Sequence, residues 1–160
     1  MNNFLLFIIT VCFISVSALA QTDEQGYFAS LRNGDANIRT GPNVKYPIRW
    51  VYQRKHWPVK VTASFEGWRK ISDYMGEIGW VHETILSHKR YVVIRSTAEM
   101  EKIYRLPMKN SDVELMAEDG VIAELLECNG KNWCRIRSEN HKGWIESGSL
   151  WGVAPNEKVE

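Results

Sequence analysis

The chain contains an internal repeat, and this repeat constrains its fold more than any other feature of the sequence. Trp-Arg-Lys-Ile at residues 68–71 is followed by Gly-Trp-Val at 79–81, and Trp-Cys-Arg-Ile at 133–136 is followed by Gly-Trp-Ile at 143–145. The second copy follows the first after about 65 residues. Units of about 60 residues are the size of small domains, so the repeat predicts two related domains, at residues 27–90 and 91–155.

Each unit consists of short apolar stretches rich in Val, Ile, Trp and Tyr, which turn-forming residues separate. Thr-Gly-Pro-Asn at residues 40–43 and Asn-Gly at 129–130 are two such turns. This pattern is typical of antiparallel strands. A small unit avoids free sheet edges most economically by closing on itself, so we predict an all-β fold of two tandem small β-barrels.

The alternation of residues along the repeated strands predicts which side chains enter each core. A period of two places Ile71 in the core of the first unit and Trp68 on the opposite face. The same alternation assigns Val81, Ile136 and Ile145 to the cores, and Trp80, Trp133 and Trp144 to the outer faces. If the strands pair as hairpins with the tryptophans of each unit close together, each unit carries an aromatic shelf. Such a shelf suits a ligand, the packing of one unit against the other, or cover by the arm at residues 21–29.

The first twenty residues have the pattern of a secretory signal peptide. Residues 4–16 form a mainly apolar run, and Ala-Leu-Ala at 18–20 resembles a cleavage site. The run is short for a membrane span of about 20 residues. We expect cleavage after Ala20, which leaves no membrane span and places the mature chain in the periplasm or outside the cell. Because no Lys or Arg precedes the run, an uncleaved anchor is the alternative.

Two cysteines, Cys128 and Cys134, remain in the expected mature chain. In an oxidising compartment they predict a disulfide, since the chain lacks the second cysteine pair of a typical zinc site. With residues 129–133 at the tip of a hairpin, the bridge would stabilise the fold by about 2 kcal/mol. We predict no metal and no cofactor.

The amino-acid composition narrows the range of possible functions. The 160 residues carry 20 Lys and Arg against 19 Asp and Glu, and this near-zero net charge argues against nucleic-acid binding through a basic surface. The content of 44% hydrophobic and 24% charged residues is that of a globular protein. Seven tryptophans are many for this length, and each must be packed or used at an interface.

The sequence contains none of the common hydrolase, nucleotide-binding or dinucleotide-binding motifs. Two weak enzymatic alternatives exist. Cys134 could pair with His82 or His141 as a nucleophile, but a disulfide-bonded cysteine supplies no thiolate. Acidic residues near Trp80, namely Asp73, Glu77 and Glu83, could form a sugar-cleaving pair. We therefore predict a protein that is not an enzyme.

Several motifs, taken in order, resemble the bacterial SH3 (SH3b) domains of exported proteins. In the first unit they are Asn-Ile-Arg-Thr-Gly-Pro at 37–42, Pro-Val-Lys-Val at 58–61, Trp-Arg-Lys-Ile at 68–71, Asp73 and Gly-Trp-Val-His at 79–82. The second unit resembles the diverged C-terminal unit of a two-unit proteobacterial group, through residues 118–121, 133–136, 143–145 and 150–153. The resemblance covers nearly the whole mature chain, and it implies SH3-like barrels, an envelope location and no enzymatic activity.

The motif at residues 37–42 also has a physical interpretation that does not depend on the family. Ile38 can enter the core, Gly41 can adopt a backbone shape closed to other residues, and Pro42 can fix the turn. Arg39 either clamps a ligand carboxylate or bonds turn carbonyls or Asp73, and the structural role is favoured. The structural motif as a whole comprises Asn37, Ile38, Arg39, Gly41, Pro42, Gly79 and Gly143.

Three functional hypotheses follow. The leading one is an exported binding module that recognises a peptide-like or cell-wall-derived ligand or an envelope protein, because better-understood SH3b modules attached to wall hydrolases recognise peptidoglycan peptides. The candidate binding residues are Tyr46, Trp50, Tyr52, Trp57, Trp68, Tyr74 and Trp80. The second is a structural accessory subunit whose Trp faces pack the barrels together, and the third is a wall hydrolase. The sequence does not specify the oligomeric state.

Overall fold

The computed structural model describes residues 26–160, which form two antiparallel β-sheet units joined by a short connection. The predicted signal peptide lies outside the described residues. The prediction of an all-β fold with two tandem units is confirmed. Within residues 26–160, no helix is long and apolar enough to cross a membrane.

The first unit is a seven-stranded sheet with the strand order β3-β2-β6-β5-β4-β1-β7. Its strands are β1 (Tyr27–Leu31), β2 (Ala36–Arg39), β3 (Ile48–Tyr52), β4 (Pro58–Phe65), β5 (Trp68–Ser72), β6 (Ile78–His82) and β7 (Leu86–Ser87), with a 3₁₀ helix at Glu83–Ile85.

The second unit repeats this order as β10-β9-β13-β12-β11-β8-β14, and an extra strand, β15, pairs with β11. Its strands are β8 (Tyr91–Ile94), β9 (Met100–Tyr104), β10 (Val113–Glu118), β11 (Ile122–Asn129), β12 (Trp133–Ser138), β13 (His141–Glu146), β14 (Leu150–Trp151) and β15 (Lys158–Val159), with a 3₁₀ helix at Ser147–Ser149.

Both long hairpins contain an irregularity at the same place. The β4–β5 register shifts just after Val61, which pairs with Ile71. The β11–β12 register shifts just after Leu125, which pairs with Ile136. A bulge bends its strand and increases the local twist, so the shared position lets each sheet curl around its own core.

Each sheet encloses a separate hydrophobic core. Ile71 and Val81 are fully buried in the first core, and Ile136 and Ile145 are as deeply buried in the second, as the alternation predicts. The first core is completed by Ala29, Leu31, Ala36, Ile38, Tyr52, Val59, Val61 and Leu86. The second is completed by Val92, Ile94, Ile103, Ala117, Ala123, Leu125, Cys128, Cys134 and Leu150.

Two equivalent glycines allow neighbouring strands to approach closely. A β-carbon on Gly79 would lie 2.3 Å from Cγ2 of Ile38, and one on Gly143 would lie 2.5 Å from Cγ2 of Ile103. Neither distance is compatible with a side chain, because protein interiors are already close-packed. The repeated Gly-Trp dipeptide therefore serves sheet packing through its glycine.

The second unit contains the predicted Cys128–Cys134 disulfide. The two cysteines face each other across β11 and β12, with Cα atoms 4.1 Å apart. β11 ends at Asn129 and β12 begins at Trp133, so the bridge closes the predicted hairpin. Since Cys128 also pairs with Val159, the bridged hairpin carries the C-terminal strand.

Residues 88–90 connect the units, and side chains hold them together on both sides of this connection. The guanidinium of Arg90 donates to both carboxylate oxygens of Glu157, at 2.8 and 3.2 Å, and to the carbonyl of Gly152 at 2.6 Å. The imidazole of His56 stacks on the ring of Tyr91 with centroids 4.1 Å apart. The second unit therefore has defined contacts with the first.

Candidate binding site

Four of the seven candidate aromatic residues lie together in the first unit, and a fifth ring from the second unit joins them. Trp50 and Tyr52 have ring centroids 6.0 Å apart, and Tyr52 and Trp57 are 5.4 Å apart. Tyr74 follows Trp57 at 5.5 Å, and Trp151 follows Tyr74 at 6.3 Å. We call these five side chains the aromatic row.

Three separate segments of the first unit supply the row. Trp50 and Tyr52 are two positions apart on β3 and share a face because side chains alternate along a strand. Trp57 immediately precedes β4, and its carbonyl accepts a hydrogen bond from the amide of Leu31 at 2.9 Å. Tyr74 lies in the turn between β5 and β6. The row therefore depends on the folded sheet.

Asp73 fixes the part of the row nearest the core. The residue is only 4% exposed. Its carboxylate accepts a hydrogen bond from the Tyr52 hydroxyl at 2.8 Å and from the amides of Met75 and Glu77 at 2.9 Å each. Burial, followed by the hydrogen bond to Asp73, raises the pKa of Tyr52 well above its usual value. Tyr52 is thus held as a neutral donor, and Asp73 also orders the turn that carries Tyr74.

Two arginines lie over rings of the row. The guanidinium of Arg49 is 5.3 Å from the Trp50 ring centroid, and that of Arg95 is 5.2 Å from the Tyr74 centroid. Beside Trp50 there is a groove of about 400 Å³, lined by Arg49, Trp50, Tyr52, Asp73, Met75 and Glu77. Aromatic faces bordered by guanidinium groups can stack on planar or apolar ligand groups and pair with carboxylates.

The remaining three candidates lie outside the row. Trp68 is only 8% exposed and contacts His82 edge-on, at a centroid distance of 5.4 Å. Trp80 is half-buried and lies opposite Lys70 across the β5–β6 pair. Tyr46 is 46% exposed, and its ring covers Gly41.

The register shows how the tryptophans of the expected aromatic shelf are placed. Trp68 lies opposite His82, two residues from Trp80, and in the second unit Trp133 lies opposite Glu146, two residues from Trp144. The tryptophans of each unit are therefore diagonal neighbours on one face, and Trp133 contacts Tyr104. Period-two alternation assigns a residue to a face, but it does not determine what covers that face. For this reason Trp68 is buried despite pointing away from Ile71.

The first motif forms a braced turn. Arg39 donates from Nη1 to the carbonyl of Tyr46 at 2.7 Å, and Ile38 is completely buried. Gly41 corrects an expectation: its φ lies outside the left-handed region, and its small size matters because a β-carbon there would lie 2.6 Å from the Tyr46 ring. Close approach of an aromatic ring, and not an unusual backbone shape, is what requires glycine.

Sequence reasoning did not identify Arg49, Arg95 or Trp151 as site residues. Trp151 lies in the Leu-Trp-Gly-Val segment at residues 150–153, which the sequence singled out only as a family motif. Its proximity to Tyr74 arises from the packing of two separate sheets. No periodicity within one strand carries such information.

The second unit lacks its own aromatic row. The register places Leu115 opposite Ile103, as Trp50 lies opposite Ile38, and Ala117 corresponds in the same way to Tyr52. The carbonyl of Val121 accepts from Ile94 as that of Trp57 accepts from Leu31. Three aromatic positions of the first unit are therefore Leu115, Ala117 and Val121 in the second.

Three of the groups considered for catalysis have structural partners. Cys134 is in the disulfide, Asp73 is bonded to Tyr52 and its own turn, and Glu83 forms an ion pair with Arg69. Among residues 26–160, no cluster of three or more His, Cys, Asp or Glu side chains is placed to hold a metal ion.

Comparison with known protein families identifies both halves of the chain. The family model described as the bacterial SH3 domain matches residues 33–88 and again residues 97–152. The chain matches no curated protein.

Three solved structures are similar over most of this chain at 14% identity. The match to NlpC2 from Trichomonas vaginalis includes 80% of this chain and 48% of the NlpC2 chain, with a TM-score of 0.35. The match to NlpC1 from the same organism includes 88% of this chain and 50% of the NlpC1 chain, with a TM-score of 0.35. The match to an NlpC/P60 family protein from Bacillus cereus includes 78% of this chain and 55% of that protein's chain, with a TM-score of 0.34. The chain spans about half the length of these proteins.

Proposed function

Because the chain belongs to the bacterial SH3 domain family in both of its halves, we propose that it is an exported, non-enzymatic binding module. It recognises a peptide-like or cell-wall-derived ligand, or an envelope protein, through the aromatic row of its first unit. The signal-peptide pattern of residues 1–20 supports the export part of this proposal, with the periplasm or the extracellular space as the place of action.

The aromatic row is the observation that carries this proposal. Its rings follow one another at 5.4 to 6.3 Å, and four of the five are half-buried, so they are held by packing and still reach solvent. The buried hydrogen bond between Tyr52 and Asp73 fixes the core side of the row. A preorganised aromatic surface binds with little loss of side-chain entropy, which favours recognition.

Retention by purified peptidoglycan sacculi tests the wall-ligand form of the proposal. We expect Trp50→Ala and Trp57→Ala to weaken retention by about ten-fold or more, because each removes one stacking ring. Trp133→Ala is the matched control, since Trp133 is equally half-buried but lies in the second unit against Tyr104. Equal retention of the wild type and Trp50→Ala would contradict the proposal for wall ligands.

Crosslinking in intact envelopes tests the protein-ligand form. Here Trp50→Ala should lose a defined crosslinked partner that Trp133→Ala keeps. If neither sacculi nor an envelope protein depends on Trp50, the aromatic row is not a binding surface.

The structural-subunit alternative receives less support from the contacts between the units. The ring contacts there involve Phe28, His56, Tyr74, Tyr91 and Trp151, and Trp68, Trp80, Trp133 and Trp144 have no part in those contacts within residues 26–160. The ring contacts between the units therefore give no support to joining through the outer tryptophan faces.

A further inference from the structure

We propose that the binding surface crosses the junction between the units, so that Trp151 and Arg95 of the second unit contact the same ligand as Trp50 and Trp57. The ligand this surface fits is an extended peptide with a carboxylate at its second-unit end. This inference rests on the proposed function and assigns the second unit a direct part in recognition.

Trp151 extends the aromatic row beyond the first unit. It lies on β14, where it pairs with Val93 of β8, so the second sheet fixes its position. Its ring is 6.3 Å from Tyr74 and 5.3 Å from Phe28, both of which belong to the first unit. The side chain is half-buried, and it continues the row without a break.

Arg95 places a cation at this end of the row. It follows β8 directly, and its amide donates to the carbonyl of Ser149 at 2.8 Å, which anchors its backbone. The guanidinium lies over Tyr74, and its Nε donates to Oδ1 of Asp119 at 3.1 Å. Within the described chain its Nη groups make no hydrogen bond, and the side chain is 46% exposed. These free donors can hold a carboxylate.

The spacing of the rings indicates an extended chain. Successive centroids are 5.4 to 6.3 Å apart along the row. An extended peptide advances about 3.3–3.6 Å per residue, and alternate side chains lie on the same face. Alternate side chains of such a peptide could therefore contact the four half-buried rings of the row, whereas a compact ligand would reach only one or two of them.

The junction is firm enough to present both parts together. Arg90 is bonded to Glu157 and Gly152, and His56 is stacked on Tyr91. Ser30 donates from its hydroxyl to the carbonyl of Lys89 at 2.7 Å. A ligand that spans the junction then binds to a preformed surface, so little affinity is lost to the ordering of protein side chains and loops.

Titration of the full mature chain with soluble muramidase-released fragments of sacculi tests the charge at the second-unit end. We expect Arg95→Gln to weaken binding by about five- to ten-fold and to reduce its dependence on salt, because one charge-assisted contact is lost. Arg105→Gln is the matched control, since Arg105 is an exposed arginine of the same unit that pairs with Asp112 and Glu114. It should bind like the wild type.

Trp151 requires a readout that a merely structural role would not change. We expect Trp151→Ala to lose about ten-fold in affinity and Trp151→Phe to regain most of it. In the wild type, bound fragments should slow hydroxyl-radical oxidation of Trp151 and leave that of Trp144 unchanged. An unchanged oxidation rate at Trp151 overturns its assignment as a contact residue.

The outcomes separate this inference from the function on which it rests. If Trp50→Ala loses binding while Trp151→Ala and Arg95→Gln bind like the wild type, the ligand is confined to the first unit and the inference fails alone. If Trp50→Ala binds like the wild type, the proposed site itself fails. Failure of the wild type to bind the fragments overturns the peptide assignment.

Discussion

The hydrogen bond between Tyr52 and Asp73 joins the core of the first unit to its candidate binding site. Tyr52 packs in the core, whereas Asp73 orders the turn that presents Tyr74. A buried carboxylate must have its hydrogen bonds satisfied, because desolvation without partners is costly. The pair therefore serves stability and site geometry at once.

Removing the hydroxyl tests this role. We expect Tyr52→Phe to lower the free energy of unfolding by about 1–2 kcal/mol, because Asp73 stays buried with one donor fewer. Tyr46→Phe is the control, since Tyr46 is largely exposed, and it should change stability by less than about 0.5 kcal/mol. Urea denaturation measures both variants. If Tyr52→Phe leaves the free energy of unfolding unchanged, the two backbone amides alone satisfy the hydrogen bonding of Asp73.

His56 predicts a pH dependence of stability. Burial, assisted by the nearby Lys55 and Lys89, lowers its pKa below the ordinary 6.5. Above that pH the imidazole is neutral in both the folded and the unfolded chain and contributes nothing. As the pH falls through 6.5, the unfolded chain takes up the proton first, so stability decreases.

The His56→Asn variant isolates this effect. Asn tolerates the left-handed backbone of this position, where φ is 66°, and it does not titrate. We expect its melting temperature to fall less between about pH 7 and pH 5.5 than that of the wild type. His141→Asn, at an exposed position, should keep the wild-type slope. If the melting temperatures of all three proteins fall equally with pH, His56 is not the source of the pH dependence.

At the scale of the strands, the two glycines of the repeat determine how closely β2 lies on β6 and β9 on β13. We expect Gly143→Ala to destabilise the fold by about 1–3 kcal/mol, because the new methyl group would overlap Ile103. Gly148→Ala is a fitting control, since no atom lies within 4 Å of the place its methyl group would take, and should cost less than about 0.5 kcal/mol. Comparable losses in thermal denaturation would argue against a packing role for Gly143.

The strands could largely be predicted from the sequence, because their signals are local. Alternation identifies Ile71 and Ile136 as core residues without any knowledge of the tertiary fold. The candidate binding surface could be predicted only in part. Trp50, Trp57 and Tyr74 are recognisable as aromatic candidates, but they come from different segments. Their contact with one another, and with Trp151, depends on how two sheets pack, and no short sequence window contains that information.

At the scale of the whole molecule, Arg90 contacts both units. It lies in the connection, its guanidinium bonds Glu157 and Gly152 of the second unit, and it lies over the ring of Phe28 in the first. Burial opposes ionisation of Glu157, but the hydrogen bonds from Arg90 and the Ala154 amide outweigh it and lower the pKa of Glu157. Arg90 therefore couples stability to pH as well as joining the units.

Replacing Arg90 should uncouple the units. We expect the wild type to unfold in one calorimetric transition and Arg90→Ala to unfold in two, because three hydrogen bonds and one cation–π contact are lost. The difference in stability between the two proteins should shrink as the pH falls below 4.5, where the unfolded Glu157 becomes protonated first. Arg54→Ala, an exposed residue, should resemble the wild type. A single transition in Arg90→Ala would show that the other contacts suffice.

The second unit carries Leu115, Ala117 and Val121 at positions where the first unit has aromatic residues, on the same strand order. It also carries the Cys128–Cys134 disulfide, which braces its longest hairpin covalently. A braced scaffold tolerates substitution, because added stability offsets the cost of a new side chain. New aromatic contacts can therefore be designed at these three positions, beside the surface that the first unit already presents.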